Sequence, residues 1–162
     1  MPLAFFRAVS VTSRGRRTTV TYRQSELDRL GGESPVGDDR LGGESPVADD
    51  RLAVVTTYVF EPGRITRTDI YTPKGAVEIA SIELDLGSFS ELAGGTARVV
   101  RFSGGALDEF KVTGLEGCQA TAIQDDPDFE SDEGPMRSKV VCSGGARTVR
   151  EPFTIGWTIT FH

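Results

Sequence analysis

The segment from Phe153 to Phe161 constrains the fold more than any other part of the chain. Every second residue in it is large and apolar, and each residue between them is small or carries a hydroxyl. Such alternation has the period of two that belongs to a β-strand. One face of this strand must therefore be buried in a core. Trp157 lies on that apolar face, so we expect it between two packed sheets.

Strand and turn signals extend over the rest of the sequence. The 19 glycines and 8 prolines favour turns, and no stretch keeps the helical period over several turns. We therefore predict an all-β protein. The expected architecture is an antiparallel β-sandwich of about nine strands, which forms a single domain over residues 1–162.

The clearest hairpin lies between residues 53 and 71. Pro62 and Gly63 suit the two central positions of a type II turn, and strand-like residues flank them. If the turn is tight, the two strands pair in one register and six side chains share a face. Those six residues are Thr56, Tyr58, Phe60, Ile65, Arg67 and Asp69.

This hairpin carries the candidate ligand-binding residues Tyr58, Arg67, Asp69 and Tyr71. Aromatic rings beside charged groups on one sheet face suit a ligand rich in hydroxyl groups. The alternative is an ordinary half-exposed sheet, in which cross-strand pairs of these residues stabilise only the fold.

Three local features refine the strand prediction. Apolar residues change phase within 76–86, and a β-bulge near Ala80 and Ser81 would reconcile the two phases. The glycine pair at 94–95 is interpreted as a turn that ends a strand. Pairing residue 123 with residue 137 would set Cys118 opposite Cys142. Those cysteines form either a disulfide or two buried thiols.

Residues 29–50 contain a tandem duplication. The segments 29–39 and 40–50 are identical except for Gly37 and Ala48. Glycine and proline in each copy exclude a continuous helix, and a solenoid needs at least three units. We predict a duplicated surface loop. The alternative is a calcium- or ligand-binding loop that uses Glu33, Asp38, Asp39 and their copies.

Catalytic and metal sites find little support in the sequence. The one histidine is His162, so no internal histidine can act as a general base or bind a metal. The acidic segment 125–133 has carboxylates at alternate positions, but Ser131 and Arg137 break the EF-hand pattern. We therefore predict no catalytic residue, no metal and no cofactor. An enzyme with a carboxylate pair remains a third hypothesis.

Charge and hydropathy limit the partners. A net charge of −6 argues against nucleic acid, which requires a basic surface. The apolar opening Pro2–Phe6 stops at Arg7, which makes it too short for a signal peptide or a membrane span. We expect no membrane partner, and the cytoplasm is the default location.

Two segments resemble a known family. Residues 57–69, TYVFEPGRITRTD, and 151–161, EPFTIGWTITF, resemble the β-sandwich parts of heparinase II/III-like and related polysaccharide-active proteins. The resemblance extends over roughly 52–162, about two-thirds of the chain. In that family an α/α toroid carries much of the catalytic cleft, and a C-terminal β domain packs behind it. The catalytic Tyr and His lie mostly in the toroid, so the resemblance implies a fold and a carbohydrate context but no catalytic residue here.

The leading expectation is a non-catalytic accessory domain of a carbohydrate-active protein. Its expected partners are an upstream α/α-toroid catalytic domain and a polysaccharide. The alternative is a free-standing module that binds a carbohydrate or a protein through the hairpin face.

Deletion of residues 40–50 tests the interpretation of the duplication. A surface loop tolerates a change of length because its closure entropy grows only logarithmically. We expect the free energy of unfolding, measured by urea denaturation, to change by no more than about 1 kcal/mol. A larger loss would mean that the second copy packs against the domain.

Overall fold

The computed structural model describes residues 8–24, 27–28, 48–49, 51–123, 130–131 and 134–162. All regular secondary structure in these ranges is β-strand, which confirms the all-β prediction. Within the same ranges, no helix is long and apolar enough to cross a membrane. The strands are β1 (Ala8–Arg14), β2 (Arg17–Gln24), β3 (Leu27–Asp28), β4 (Ala48–Asp49), β5 (Leu52–Glu61), β6 (Arg64–Pro73), β7 (Val77–Ile79), β8 (Ile82–Ser88), β9 (Glu91–Thr96), β10 (Val99–Ser103), β11 (Leu107–Thr113), β12 (Gly117–Ala122), β13 (Glu130–Ser131), β14 (Gly134–Pro135), β15 (Ser138–Gly144), β16 (Arg147–Val149) and β17 (Phe153–Phe161).

Eight strands form the main sheet, in the order β1-β2-β5-β6-β17-β11-β10-β9. Neighbouring strands in it are antiparallel. The strongly alternating β17 lies inside the sheet between β6 and β11. Gly63 has a φ of 69°, as the third position of a type II turn requires, and the turn joins β5 to β6 in the predicted register.

A smaller layer packs over one face of the main sheet and makes the sandwich. It consists of β12, β15 and β8, and the β16–β7 pair lies next to it along the chain. We call the covered side of the main sheet its inner face. The core cluster between the layers contains Val100, Phe102, Phe110, Val112, Leu115, Val140, Cys142, Ile155 and Ile159.

Trp157 packs against this core on the predicted face but keeps part of its surface exposed. Its ring centroid lies 6.4 Å from that of the buried Phe110. The prediction of an apolar inner face on β17 is therefore confirmed. Trp157 lies at the margin of the core, where it is only partly buried.

The second layer is narrower than the sheet it covers. No residue of the core cluster belongs to β1, β2 or β5. On the inner face of these strands, Val9 and Val11 are each 62% exposed and Phe60 is 39% exposed. Val54 and Thr56 of β5 are buried on this same face, so the opening begins beyond them. We call the inner side of β1 and β2, together with the Phe60 end of β5, the uncovered face. It continues the core sideways without the second layer above it.

The expected bulge near Ala80 and Ser81 is absent. Val77 pairs with Val149, and Ile82 pairs with Gly144 in the same register. The break between β7 and β8 and the break between β15 and β16 contain the same number of residues. A bulge would instead add a residue to one of the two strands only. The phase change therefore takes place across an unpaired break in both strands.

The glycine pair at 94–95 lies inside β9, so the prediction of a turn there is wrong. The φ angles of Gly94 and Gly95 are 127° and 148°. A Cβ on Gly95 would lie 2.1 Å from the backbone oxygen of Val99, so only glycine fits this close approach. The register between β9 and β10 shifts next to it, between Arg101 and Phe102.

The cysteines form the disulfide that the sequence left open. Cys118 and Cys142 are directly opposite on β12 and β15, and their Cα atoms are 3.9 Å apart. The predicted register is confirmed by the hydrogen bond from the Ile123 N–H to the Arg137 carbonyl. The disulfide joins two strands of the second layer.

The duplicated segment is described only at its ends. Short strands β3 and β4 pair Leu27 with Asp49 and Asp28 with Ala48. Residues 29–47 and 50 lie outside the described residues, as do 124–129 and 132–133 of the acidic segment. The surface-loop interpretation of 29–50 therefore stays a prediction.

Candidate functional site

The structure brings all four predicted ligand-binding residues to one place. Tyr58 lies on β5, and Arg67, Asp69 and Tyr71 lie on β6. All four lie on the inner face. Arg67, Asp69 and Tyr71 pair with the large apolar residues of β17, and Tyr58 pairs with Arg67 across β5 and β6. The site therefore marks the boundary between the covered core and the uncovered face.

The centre of the site is the buried carboxylate of Asp69, which is 3% exposed. The hydroxyl of Thr56, its cross-strand partner on β5, donates a hydrogen bond of 2.5 Å to Asp69 Oδ1. Arg67 Nε lies 2.8 Å from Oδ2 and 3.1 Å from Oδ1. These contacts satisfy a charge that would otherwise be costly to bury. Asp69 therefore positions its neighbours rather than facing solvent.

Arg67 is held in a fixed orientation by this contact. Burial opposes the charge of its guanidinium, but the charge and hydrogen bond of Asp69, together with Tyr58 and Tyr22, leave the pKa of Arg67 raised. The guanidinium carbon lies 5.5 Å from the centroid of the Tyr58 ring, within the range of a cation–π contact. About a third of the side chain, 31%, remains exposed. Arg67 therefore offers a positioned donor at the surface.

Tyr58 is the centre of a row of aromatic rings. Its centroid is 6.1 Å from that of Tyr22, 5.9 Å from that of Phe60 and 6.0 Å from that of Trp157. Trp157 contacts Tyr58 edge to face and also lies near the buried ring of Phe110. The row therefore runs without interruption from the core to the exposed ring of Phe60.

Tyr71 lies on the core side of the site. Its ring stacks on Phe153 with centroids 4.8 Å apart. Burial raises the pKa of Tyr71 to about 12, and the nearby negative charge of Asp69 adds to this rise. Tyr71 therefore keeps its proton well into the alkaline range.

Sequence reasoning did not assign Tyr22 and Thr56 to the site. Tyr22 on β2 is opposite Thr56 on β5. Burial raises the pKa of the Tyr22 hydroxyl, and its hydrogen bond with Tyr58 acts in the same direction. The alternation of side chains along β2 was the available signal that Tyr22 lies on one face of the sheet. It could not show that β2 pairs with β5. We call these six residues the polar cluster: Tyr22, Thr56, Tyr58, Arg67, Asp69 and Tyr71.

The chemistry of the polar cluster is that of hydrogen bonding and ring stacking. It combines tyrosine hydroxyls and a guanidinium with aromatic rings, and its one carboxylate is already engaged. In the described part of the chain, no group of three or more His, Cys, Asp or Glu side chains could hold a metal ion. The donors and rings suit a neutral or anionic ligand with many hydroxyl groups.

Comparison with protein-family models and with curated proteins found no match for this chain.

The raised pKa of Tyr71 predicts a loss of stability in alkali. Below pH 10 both the folded and the unfolded states keep the proton, so this group causes no change. Between pH 10 and about 12 the unfolded state loses the proton first, and the free energy of unfolding falls. We expect a slope of up to about 1.4 kcal/mol per pH unit from this group.

Urea denaturation of the protein and of Tyr71→Phe across this pH range measures the effect. The Phe variant keeps the ring that stacks on Phe153 but has no proton to lose. Its free energy of unfolding should fall less steeply than that of the original chain. Parallel curves for the two proteins would show that Tyr71 titrates normally.

Proposed function

We propose that this chain is a non-catalytic accessory β-sandwich domain of a polysaccharide-active protein. The uncovered face and the polar cluster contact the polysaccharide, and an α/α-toroid domain in the same protein carries the catalysis. The resemblance of residues 57–69 and 151–161 to heparinase II/III-like proteins supports the carbohydrate context. The comparisons with known proteins neither add to this proposal nor oppose it.

The single observation that carries the proposal is the guanidinium of Arg67 beside the aromatic row. Asp69 fixes Arg67 against Tyr58, so the donor needs no reorganisation when a ligand arrives. Phe60 extends the row and exposes 39% of its surface on the same side. The result is a preformed surface in which a donor and rings are adjacent.

A sugar ring matches such a surface. Its C–H groups pack against aromatic rings, and its hydroxyl groups accept hydrogen bonds from a guanidinium or from tyrosine hydroxyls. An extended chain of sugars can follow a sheet surface and needs no deep pocket. The open, uncovered face therefore fits an oligosaccharide better than it fits a small enclosed substrate.

A second candidate function is that of a free-standing module that binds a protein. Val9 and Val11 favour it, because these exposed apolar side chains lie on the same face beyond the aromatic row. Apolar patches of this kind occur at protein interfaces. A protein partner would bury the valines, whereas a sugar would contact mainly Phe60, Tyr58 and Arg67.

Calorimetric titration with a panel of tetrasaccharides of neutral, amino-sugar and uronate types tests the proposal. We expect at least one class to bind. Phe60→Ala removes the exposed ring, and we expect it to weaken this binding at least about tenfold, or 1.4 kcal/mol. Phe60 also stacks on Tyr58, so its loss should lower the free energy of unfolding by roughly 1–2 kcal/mol, and affinities are compared at a temperature where urea denaturation shows each variant to be folded.

Phe89→Ala is the matched control. Phe89 is also exposed, at 47%, but lies between β8 and β9 and outside the main sheet's inner face. Its loss should leave affinity unchanged. Absence of binding to every class, or an equal effect of both variants, would contradict the role of this face in carbohydrate binding.

A further inference from the structure

Strand β1 is an edge strand of the main sheet as far as the structure describes the chain. Among the described residues it has a strand neighbour, β2, on one side only. The peptide groups on its other side can hydrogen-bond to an added strand. Its pairing with β2 is regular from Ala8 to Arg14, and it contains no proline or glycine. Nothing in β1 itself therefore prevents edge-to-edge pairing.

The opposite edge, β9, differs in this respect. Gly94 and Gly95 have positive φ angles, and the register shift at Arg101 and Phe102 distorts the ladder next to them. Irregularities of this kind turn an edge away from a straight partner. Of the two edges of the main sheet, β1 is the one with regular geometry.

The side chains of β1 match a second copy of the same strand. An antiparallel pairing with Ser10 on a twofold axis places Val9 opposite Val11 of the second copy, and Val11 opposite Val9. These valines are 62% exposed in the single chain. Cross-strand pairs of β-branched residues stabilise a sheet.

The charges of β1 are compatible with this arrangement. The paired segment Ala8–Thr12 contains no ionisable side chain, although the chain carries a net charge of −6. Arg14 lies beyond the segment, so the two copies of Arg14 are at opposite ends of the pair. Like charges therefore do not face each other across the axis. Pairing through one strand buries little area, so the complex should be weak and dependent on concentration.

We propose that β1 pairs with β1 of a second copy and forms a twofold dimer with one continuous sheet. The interface is isologous, as in most homodimers. Each uncovered face then lies on the same side of the joined sheet. Five strand spacings of about 4.8 Å would separate the two Tyr58 residues by about 24 Å. The dimer itself does not depend on the proposed function of that face.

Sedimentation of the full chain over a roughly hundredfold range of concentration tests the dimer. The mass should rise from 17.5 kDa towards twice that value. Val11→Lys places two charges in the interface, so this variant should stay monomeric. Ile70→Lys is the matched control, since Ile70 is an exposed residue, at 44%, on the interior strand β6. It should dimerise like the original chain.

Circular dichroism and urea denaturation show whether Val11→Lys is folded. A folded variant that still dimerises, or an original chain that stays monomeric throughout, would overturn the proposal. Equal loss of dimer in both lysine variants would also overturn it, because the effect would then be one of charge alone.

Cysteine cross-linking tests the register without disturbing the strand. Both native cysteines are in the disulfide, so an added thiol is the single free one. Ser10→Cys puts the two thiols opposite each other on the axis, and mild oxidation should give a covalent dimer. Thr12→Cys puts them several residues apart and should not. Equal cross-linking of both variants would contradict this register.

Discussion

The contact between Arg67 and Asp69 allows the inner face of the main sheet to change from apolar to polar. On β17 this face is a row of large apolar residues under the second layer. One strand away, on β6, Asp69 is almost fully buried although it is a carboxylate. It is stable there because Thr56 and Arg67 satisfy its oxygens. The same contact holds Arg67 against Tyr58, and the polar cluster is built around that pair.

The features that the sequence predicted are those that depend on local pattern. The turn at Pro62 and Gly63 determines the register of β5 and β6, and this register places Tyr58 opposite Arg67 as predicted. The alternation of β17 identified the apolar face. Pairing residue 123 with residue 137 allowed the position of Cys118 opposite Cys142 to be anticipated, although not their oxidation state. Each of these inferences needs only residues that are close in sequence, or one turn.

The features that escaped prediction depend on contacts between distant segments. Tyr22 belongs to the site because β2 pairs with β5, and no local signal in the sequence shows which later strand pairs with β2. Gly95 was interpreted as a turn because its close contact with Val99 exists only in the sheet. Trp157 has the pattern of a core residue, but its partial burial depends on which elements pack around it, and the alternation of β17 carries no information about those. The ligand role of the polar cluster stays a prediction.

A double-mutant cycle on Arg67 and Asp69 tests most directly whether this pair holds the site together. Arg67→Met, Asp69→Asn and the double variant would be compared with the original chain by urea denaturation at low and high salt. We expect a coupling free energy between the two side chains of at least about 1.5 kcal/mol. This is more than an exposed ion pair gives. It is less than a fully buried pair would give, because Arg67 is partly exposed. It should persist at high salt, because screening acts mainly on exposed charges. A coupling below about 0.5 kcal/mol that disappears in salt would contradict the account.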